Sequence, residues 1–342
     1  MNDLVKRGNK MNYKKDLVSV IMSVFNTPEY MLREAINSVL AQTYSNLEFI
    51  IVDDCSDEST KRILAEYSND SRIRLLYNEK NEGLTKNLNK MILCSNGEYI
   101  ARMDSDDVCM YNRIERQVEF LKKNKHIGLL ATGYEVFGDV KKKHVKIENS
   151  PSQIKARLLF CNSGILHSSV IMRAELLMEK GILYNENVKK SQDFDMWIRL
   201  AKVTKLYILP EVLMRYRTSS VQISTSNRAE QSDYRKKIIL DEIEYYMPDI
   251  TYEEKQIHLA LCDGRVFDQY KNTTDWANKI IKNNEKNNSF DMVALKKYTY
   301  EFLVRALYHE IRNIKVIPVF GLYTIMYCFW KLIGKIYFTK KA

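Results

Sequence analysis

The chain has 342 residues, 45% of them hydrophobic and 28% charged, a globular balance long enough for two domains with cores of their own. Its formal charge is +10, but residues 311–342 hold six basic side chains and no acidic one, a tail rather than the basic face that nucleic-acid binding needs. The six cysteines lack Cys-x-x-Cys spacing and residues 1–16 lack an apolar run, so a zinc knuckle, a disulfide framework and a secretory signal are not expected, and a reducing compartment is the simplest home.

Residues 17–24 form a nearly continuous apolar run, the mark of a buried parallel strand. Asn26-Thr27-Pro28 breaks it, and Met31, Leu32, Ala35, Ile36, Val39 and Leu40 then recur at helical spacing. A second buried strand, residues 47–52, ends at Asp53-Asp54, and Ser56 or Asp57 caps a helix over 59–67. A third strand covers 73–77, and Leu84, Leu88, Met91 and Ile92 give the next helix its apolar face. Residues 98–103 are a fourth strand, so the pattern is βαβαβαβ, a mainly parallel, Rossmann-like α/β sheet with flanking helices.

The fourth strand runs into Asp104, Asp106 and Asp107. In an extended segment Asp104 and Asp106 face the same way, and two like charges held close repel unless a cation lies between them. Carboxylate oxygens suit Mg²⁺ or Mn²⁺, whose shell substrate phosphates often complete. Taken alone, such a cluster is ordinary turn chemistry, with Asp107 capping a helix near Tyr111. Convergence favours the metal–diphosphate site: Asn26, Asp53-Asp54 and Asp104 to Asp107 all follow strands, and ligands of such sheets bind at the strands' carboxyl ends. The first turn, Val24-Phe25-Asn26-Thr27-Pro28-Glu29, has no glycine, which excludes a dinucleotide fingerprint and a P-loop. Diphosphate charge then falls to a metal and side chains.

Five pieces carry a resemblance: Val18-Ser19-Val20-Ile21-Met22-Ser23-Val24-Phe25-Asn26; Ser38-Val39-Leu40-Ala41-Gln42-Thr43-Tyr44; Phe49 to Asp57 around Asp53-Asp54; Asn81-Glu82-Gly83-Leu84 with Lys86-Asn87; and Gly97 to Asp107. Together they resemble family 2 glycosyltransferases of the GT-A fold, of the bacterial cell-surface polysaccharide type, over about residues 17–125, and further pieces extend the match to about 225. Ser23, Cys55 and Lys86 stand where that family commonly has proline, glycine and arginine. Lys86 keeps charge without bidentate phosphate geometry.

The resemblance implies an inverting, metal-dependent transfer from a UDP-sugar to a glycan or lipid-linked acceptor, in capsule, O-antigen or exopolysaccharide synthesis. It implies that Asp54, with Asp53 beside it, accepts from uracil, that Asn26 and Glu29 line the nucleoside pocket, and that Lys86 and Arg217 meet the diphosphate. Asp104, with Ser105, would lie near ribose and sugar, while Asp106 and Asp107 hold the Mn²⁺ or Mg²⁺. His167 either touches substrate or is bonded within the protein. Asp193, in Ser191-Gln192-Asp193-Phe194-Asp195-Met196-Trp197, matches the family's acceptor-side base, and it also suits a helix N-terminus; Asp195 and Trp197 read as structural. Gln192 and Ser219 depart from the family's acidic residue and histidine. Those departures leave a different class open, a catalytically idle homologue that binds nucleotide or glycan as a partner subunit.

The expected organisation is an extension over 1–16, a GT-A domain over 17–225 (nucleotide-sugar half 17–107, acceptor half 108–225), a helical region over 226–310, and the tail. Helices are expected at 228–246, 253–266, 274–282 and 293–311, with a loop at 283–289. Lys141-Lys142-Lys143-His144 reads as a hairpin tip. Residues 316–330 are uncharged and aromatic, about 22 Å as a helix and short of a hydrocarbon core of about 30 Å. Beside lysines, such a stretch suits the headgroup region, peripheral on the cytoplasmic face of a membrane; packing on the protein's own core is the alternative.

Overall fold

The structure is a computed structural model that describes residues 13–139, 143–145, 150–218, 228–267 and 269–313. It divides into two compact units, residues 1–151 with 164–235 and residues 152–163 with 236–342.

In the first unit, β1 (Lys14–Val24), β2 (Leu47–Asp53), β3 (Ile73–Tyr77) and β4 (Gly97–Asp104) pair in parallel in the order β3-β2-β1-β4. The helices α1 (Glu29–Leu40), α2 (Glu58–Glu66) and α3 (Leu84–Leu93) make the crossovers. After β4 come the short β5 (Val108–Cys109), α4 (Arg113–Lys123) and β6 (Ile127–Gly138), which carries β7 (Lys143–Val145) on its edge. Beyond them lie β8 (Ile171–Arg173), α6 (Ala174–Met178), α7 (Gln192–Ala201) and β9 (Lys205–Thr218). β8 pairs antiparallel with both β4 and β6, extending the sheet to β3-β2-β1-β4-β8-β6-β9-β5.

The sheet is buried on both faces, which explains the unbroken apolar runs. Val18, Val20, Met22 and Val24 of β1 join Leu32, Ile36 and Val39 of α1 and Val118 and Leu121 of α4 in one core, while Ile21, Ile50 and Ile100, also fully buried, point to the opposite face. Gly97 leaves room for β1: a Cβ there would lie 2.7 Å from the Leu17 carbonyl. Gln42 clamps the turn after β5, its amide donating to the Met110 carbonyl at 2.7 Å and accepting from the Ile114 N–H at 2.9 Å. The buried Arg113 ties α4 to the sheet by donating to the carbonyls of Arg102 and Val170.

The second unit is helical: α5 (Pro151–Leu158) and the residues after it, then α8 (Arg228–Tyr246), α9 (Tyr252–Cys262), α10 (Tyr270–Asn287) and α11 (Met292–Asn313), with α8 crossing the boundary between units. α9 stops before residue 266 because Gly264 turns left-handed (φ 67°) and Arg265 N–H caps the Ala260 carbonyl at 2.8 Å. The loop expected at 283–289 is instead mostly helix. Asn284, read from composition as loop, is a buried helical residue whose amide donates to the Phe290 carbonyl at 2.9 Å and accepts the Phe290 N–H at 2.8 Å. Among the described residues no helix is long and apolar enough to cross a membrane. The tail from 314 onward, Lys141 and Lys142 of the basic run, and Ser219 lie outside the described residues, while Lys143 and His144 are in β7.

Two predictions follow from these contacts. Cys55, just after β2, has a left-handed backbone (φ 63°), a conformation that costs a side-chain-bearing residue about 1–2 kcal/mol. After the extra chain entropy of glycine is subtracted, Cys55→Gly should stabilise the fold by roughly 0.5–1 kcal/mol; an unchanged or lower melting temperature refutes this. The second concerns His258, fully buried, whose Nε2 donates to the Leu159 carbonyl at 3.1 Å while Nδ1 accepts from the Trp276 indole at 3.2 Å. Burial pushes it down to about 4 from 6.5, so the unfolded chain takes up a proton first as pH falls. Its contribution is intact above about pH 6.5 and is lost toward pH 4, on the order of 2 kcal/mol by about pH 5. Melting curves of the wild type and His258→Phe should therefore converge on acidification, and parallel pH dependences would disprove the assignment.

Candidate functional site

The register of the parallel strands builds the site. Val24 of β1 is level with Asp53 of β2, Ser23 with Asp104 of β4, and Tyr77 of β3 with Asp53, so three strands deliver polar groups to one edge of the sheet. The turns beyond are stitched together. Asn26, left-handed at φ 49°, donates its N–H to Ser56 Oγ at 3.1 Å and accepts the Asp57 N–H at 2.8 Å. Thr27 Oγ1 and Ser105 Oγ lie 2.7 Å apart, joining the turn after β1 to the turn after β4.

Asp104, Asp106 and Asp107 do converge: each offers a carboxylate oxygen within 4.8 Å of the others. The reason differs from strand alternation, because β4 ends at Asp104 and residues 105–106 are a turn that folds the later carboxylates back. Asp104 and Asp106 are half-buried, whereas Asp107 is fully buried. Arg102, on the same strand face, ion-pairs with Asp104. Asp107 accepts the Arg217 N–H at 2.9 Å on one oxygen and the Ser168 hydroxyl on the other. Burial, with repulsion from Asp104 and Asp106, pushes its carboxyl well above the ordinary range. An oxygen-only set under such repulsion fits a hard divalent cation.

The other expected residues fall into two groups. Asp54 is buried and supports the loop before α3: it accepts from Asn78 Nδ2 and Glu82 N–H at 2.8 Å and from Gly83 N–H at 2.9 Å. Burial would raise its pKa, but those hydrogen bonds outweigh it and hold the carboxyl below its usual value. Asp53, equally buried, accepts from Ser56 N–H on one oxygen at 3.2 Å and leaves the other without a hydrogen bond. Arg217 is also inside: Nε donates to the Asp106 carbonyl at 2.7 Å, Nη2 pairs with Glu34, and the guanidinium lies 4.4 Å from the Phe137 ring centre. It braces the acidic turn rather than standing open to a phosphate. Glu29 pairs with Arg33 at 2.8 Å on the outside of α1, and Lys86 is exposed on α3.

Asp193 is half-buried in the first turn of α7, where Asp195 is engaged by Arg199 at 2.7 Å. His167 is bonded within the protein, its Nε2 sharing a 2.8 Å hydrogen bond with the Tyr184 hydroxyl. Burial, then the charge of Arg102, pushes the imidazole well below its ordinary value and keeps it neutral. Tyr184 and Glu34 went unread in the sequence, because a lone tyrosine in an irregular stretch and a glutamate on a helix carry no local signal. Ser168 carries no local signal either, being one of two adjacent serines after His167.

The family model described as Glycosyl transferase family 2 matches residues 19–179. An uncharacterized glycosyltransferase of Haemophilus influenzae is 31% identical over 327 residues, 89% of this chain and 96% of that protein. The putative glycosyltransferase EpsE of Bacillus subtilis is 34% identical over 207 residues, 59% of this chain and 73% of that one. Among solved structures, S. aureus TarS 1–349 in complex with UDP-GlcNAc has a TM-score of 0.59 at 18% identity, covering 88% of this chain and 94% of that one, a likeness of fold alone. With the near full-length relative, the family match and the three-carboxylate turn at the end of β4 agreeing, the chain belongs to glycosyltransferase family 2 and has the GT-A fold.

Proposed function

We propose that this enzyme moves a sugar from a UDP-sugar to a glycan or lipid-linked acceptor with inversion at the anomeric carbon, in bacterial surface polysaccharide synthesis. The observation that carries the reading is the convergence of Asp104, Asp106 and Asp107 at the carboxyl end of β4. The TarS structures with UDP and with UDP-GlcNAc support the donor class.

Asp106 and Asp107 would hold a Mn²⁺ or Mg²⁺ ion, which when bound stabilises the charge of a departing nucleoside diphosphate. Asp104 and Ser105 would meet the ribose and the sugar. Asp53, with an uncommitted buried oxygen, and Asp54, which fixes the adjoining loop, would frame the uracil together with Asn26. Lys86, exposed nearby on α3, supplies positive charge for phosphate. Asp193 takes the proton from the acceptor hydroxyl; the new oxygen–carbon bond forms opposite UDP while the bond from the anomeric carbon to the phosphate oxygen breaks. Residues 311–342, basic and aromatic, would keep the enzyme at the cytoplasmic face of a membrane, near a lipid-linked acceptor.

A panel of UDP-sugars with Mn²⁺, scored for UDP release with and without acceptor, tests the donor. EDTA, or Asp106→Ala, should stop transfer, and full turnover in EDTA would sink the metal assignment. Asp193→Asn should lower turnover by roughly 10²–10⁴-fold, the usual worth of a general base, while calorimetric UDP affinity stays put. Unchanged turnover would move the base elsewhere.

A further inference from the structure

The base proposed above stands at the start of a helix that is entered from an irregular segment. Asp193 is the second residue of α7, and the residue before that helix, Ser191, is left-handed (φ 59°) and makes no side-chain cap. No helix or strand is formed from 179 to 191, so the entry to α7 is irregular.

Asn89 of α3 is buried, and its amide grips the backbone of Tyr184 at both polar groups, donating to the carbonyl at 2.9 Å and accepting the N–H at 2.9 Å. The ring of Tyr184 is buried and its hydroxyl bonds His167. His167 stands edge-on to Trp197, with ring centres 5.7 Å apart. Trp197 is fully buried on α7, one helical turn beyond Asp193 and on the same face. At the other end, Ser168, next in chain to His167, donates to Asp107. The dipeptide His167-Ser168 thus touches the base-bearing helix with one side chain and the acidic turn with the other.

We infer that Tyr184 is a positioning residue: through its bond to His167 it sets the distance between the acidic turn that meets the donor and the α7 carboxylate that meets the acceptor. Tyr184 need not touch substrate to do this. Burial raises the phenol's pKa, and Asp193 and Asp104 are both among the charges that reach it, as expected of a group lying between the two halves of the site. The hydroxyl stays protonated, so the pair holds its geometry across the working pH range.

The inference rests on Asp193 being the base, and a double-mutant cycle separates the two. Tyr184→Phe keeps the ring and removes only the hydroxyl. It should lower kcat about 10- to 100-fold, the scale of a misplaced reacting group, with the donor KM, UDP affinity and melting temperature unchanged. In an Asp193→Asn background the same change should cost nothing further. Asn89→Ala, which releases the Tyr184 backbone, should reproduce the kcat loss and the non-additivity. A wild-type kcat in Tyr184→Phe, a loss confined to the donor KM, or an equal loss in both backgrounds overturns the inference. Normal turnover of Asp193→Asn alone overturns the base assignment instead, and is read from a different corner of the cycle.

Discussion

A carboxyl shut away from water must be met by hydrogen-bonding partners, and Asp107, pushed well above the ordinary range by burial and its acidic neighbours, imposes that demand on the whole site. Its donors come from far along the chain: the backbone of Arg217 at the end of β9 and the hydroxyl of Ser168 just before β8. The same arginine turns its side chain onto the Asp106 carbonyl and Glu34 of α1. One buried acid therefore ties the turn after β4 to elements on either side of it. The more exposed Asp104 and Asp106 are held beside it, Asp104 by Arg102 and the intervening turn by the Thr27–Ser105 contact and the Arg217 side chain.

Strain gathers where the polar groups do. Asn26, Cys55 and Ser191 all hold left-handed backbones, and each lies within two positions of a residue assigned to the site or carries that assignment itself. The rigid sheet beneath bears these conformations because its strands are packed on both faces. Turns of this shape aim main-chain N–H groups and side chains into the space above the strand ends, which regular strand geometry cannot do.

The parallel half of the fold was readable in the sequence because its strands are mostly apolar runs and its helices keep their period; the order β3-β2-β1-β4 was not, since right-handed crossovers do not decide which strands become neighbours. The acidic cluster was readable too, although strand alternation was the wrong cause. Roles were harder to see. Glu29 meets Arg33 one helical turn on, a pair local to α1, whereas Arg217 and His167 have the right chemistry for substrate but meet Glu34 and Tyr184, whose proximity is a property of the fold alone. The helical unit was legible in its helices and blurred at their ends, where Gly264 and the Asn284 side chain decide.

Residues 152–163 leave the transferase unit to become part of the helical one. Phe160 stacks on Phe302 at 5.0 Å, and the Leu159 carbonyl receives His258. The helical unit is therefore not an appendage strung on after the catalytic chain has finished. Chain made early, within the transferase, waits for partners made late. A ribosome releasing the polypeptide near residue 235 would leave Ile154, Leu158, Leu159 and Phe160 with nothing to cover them.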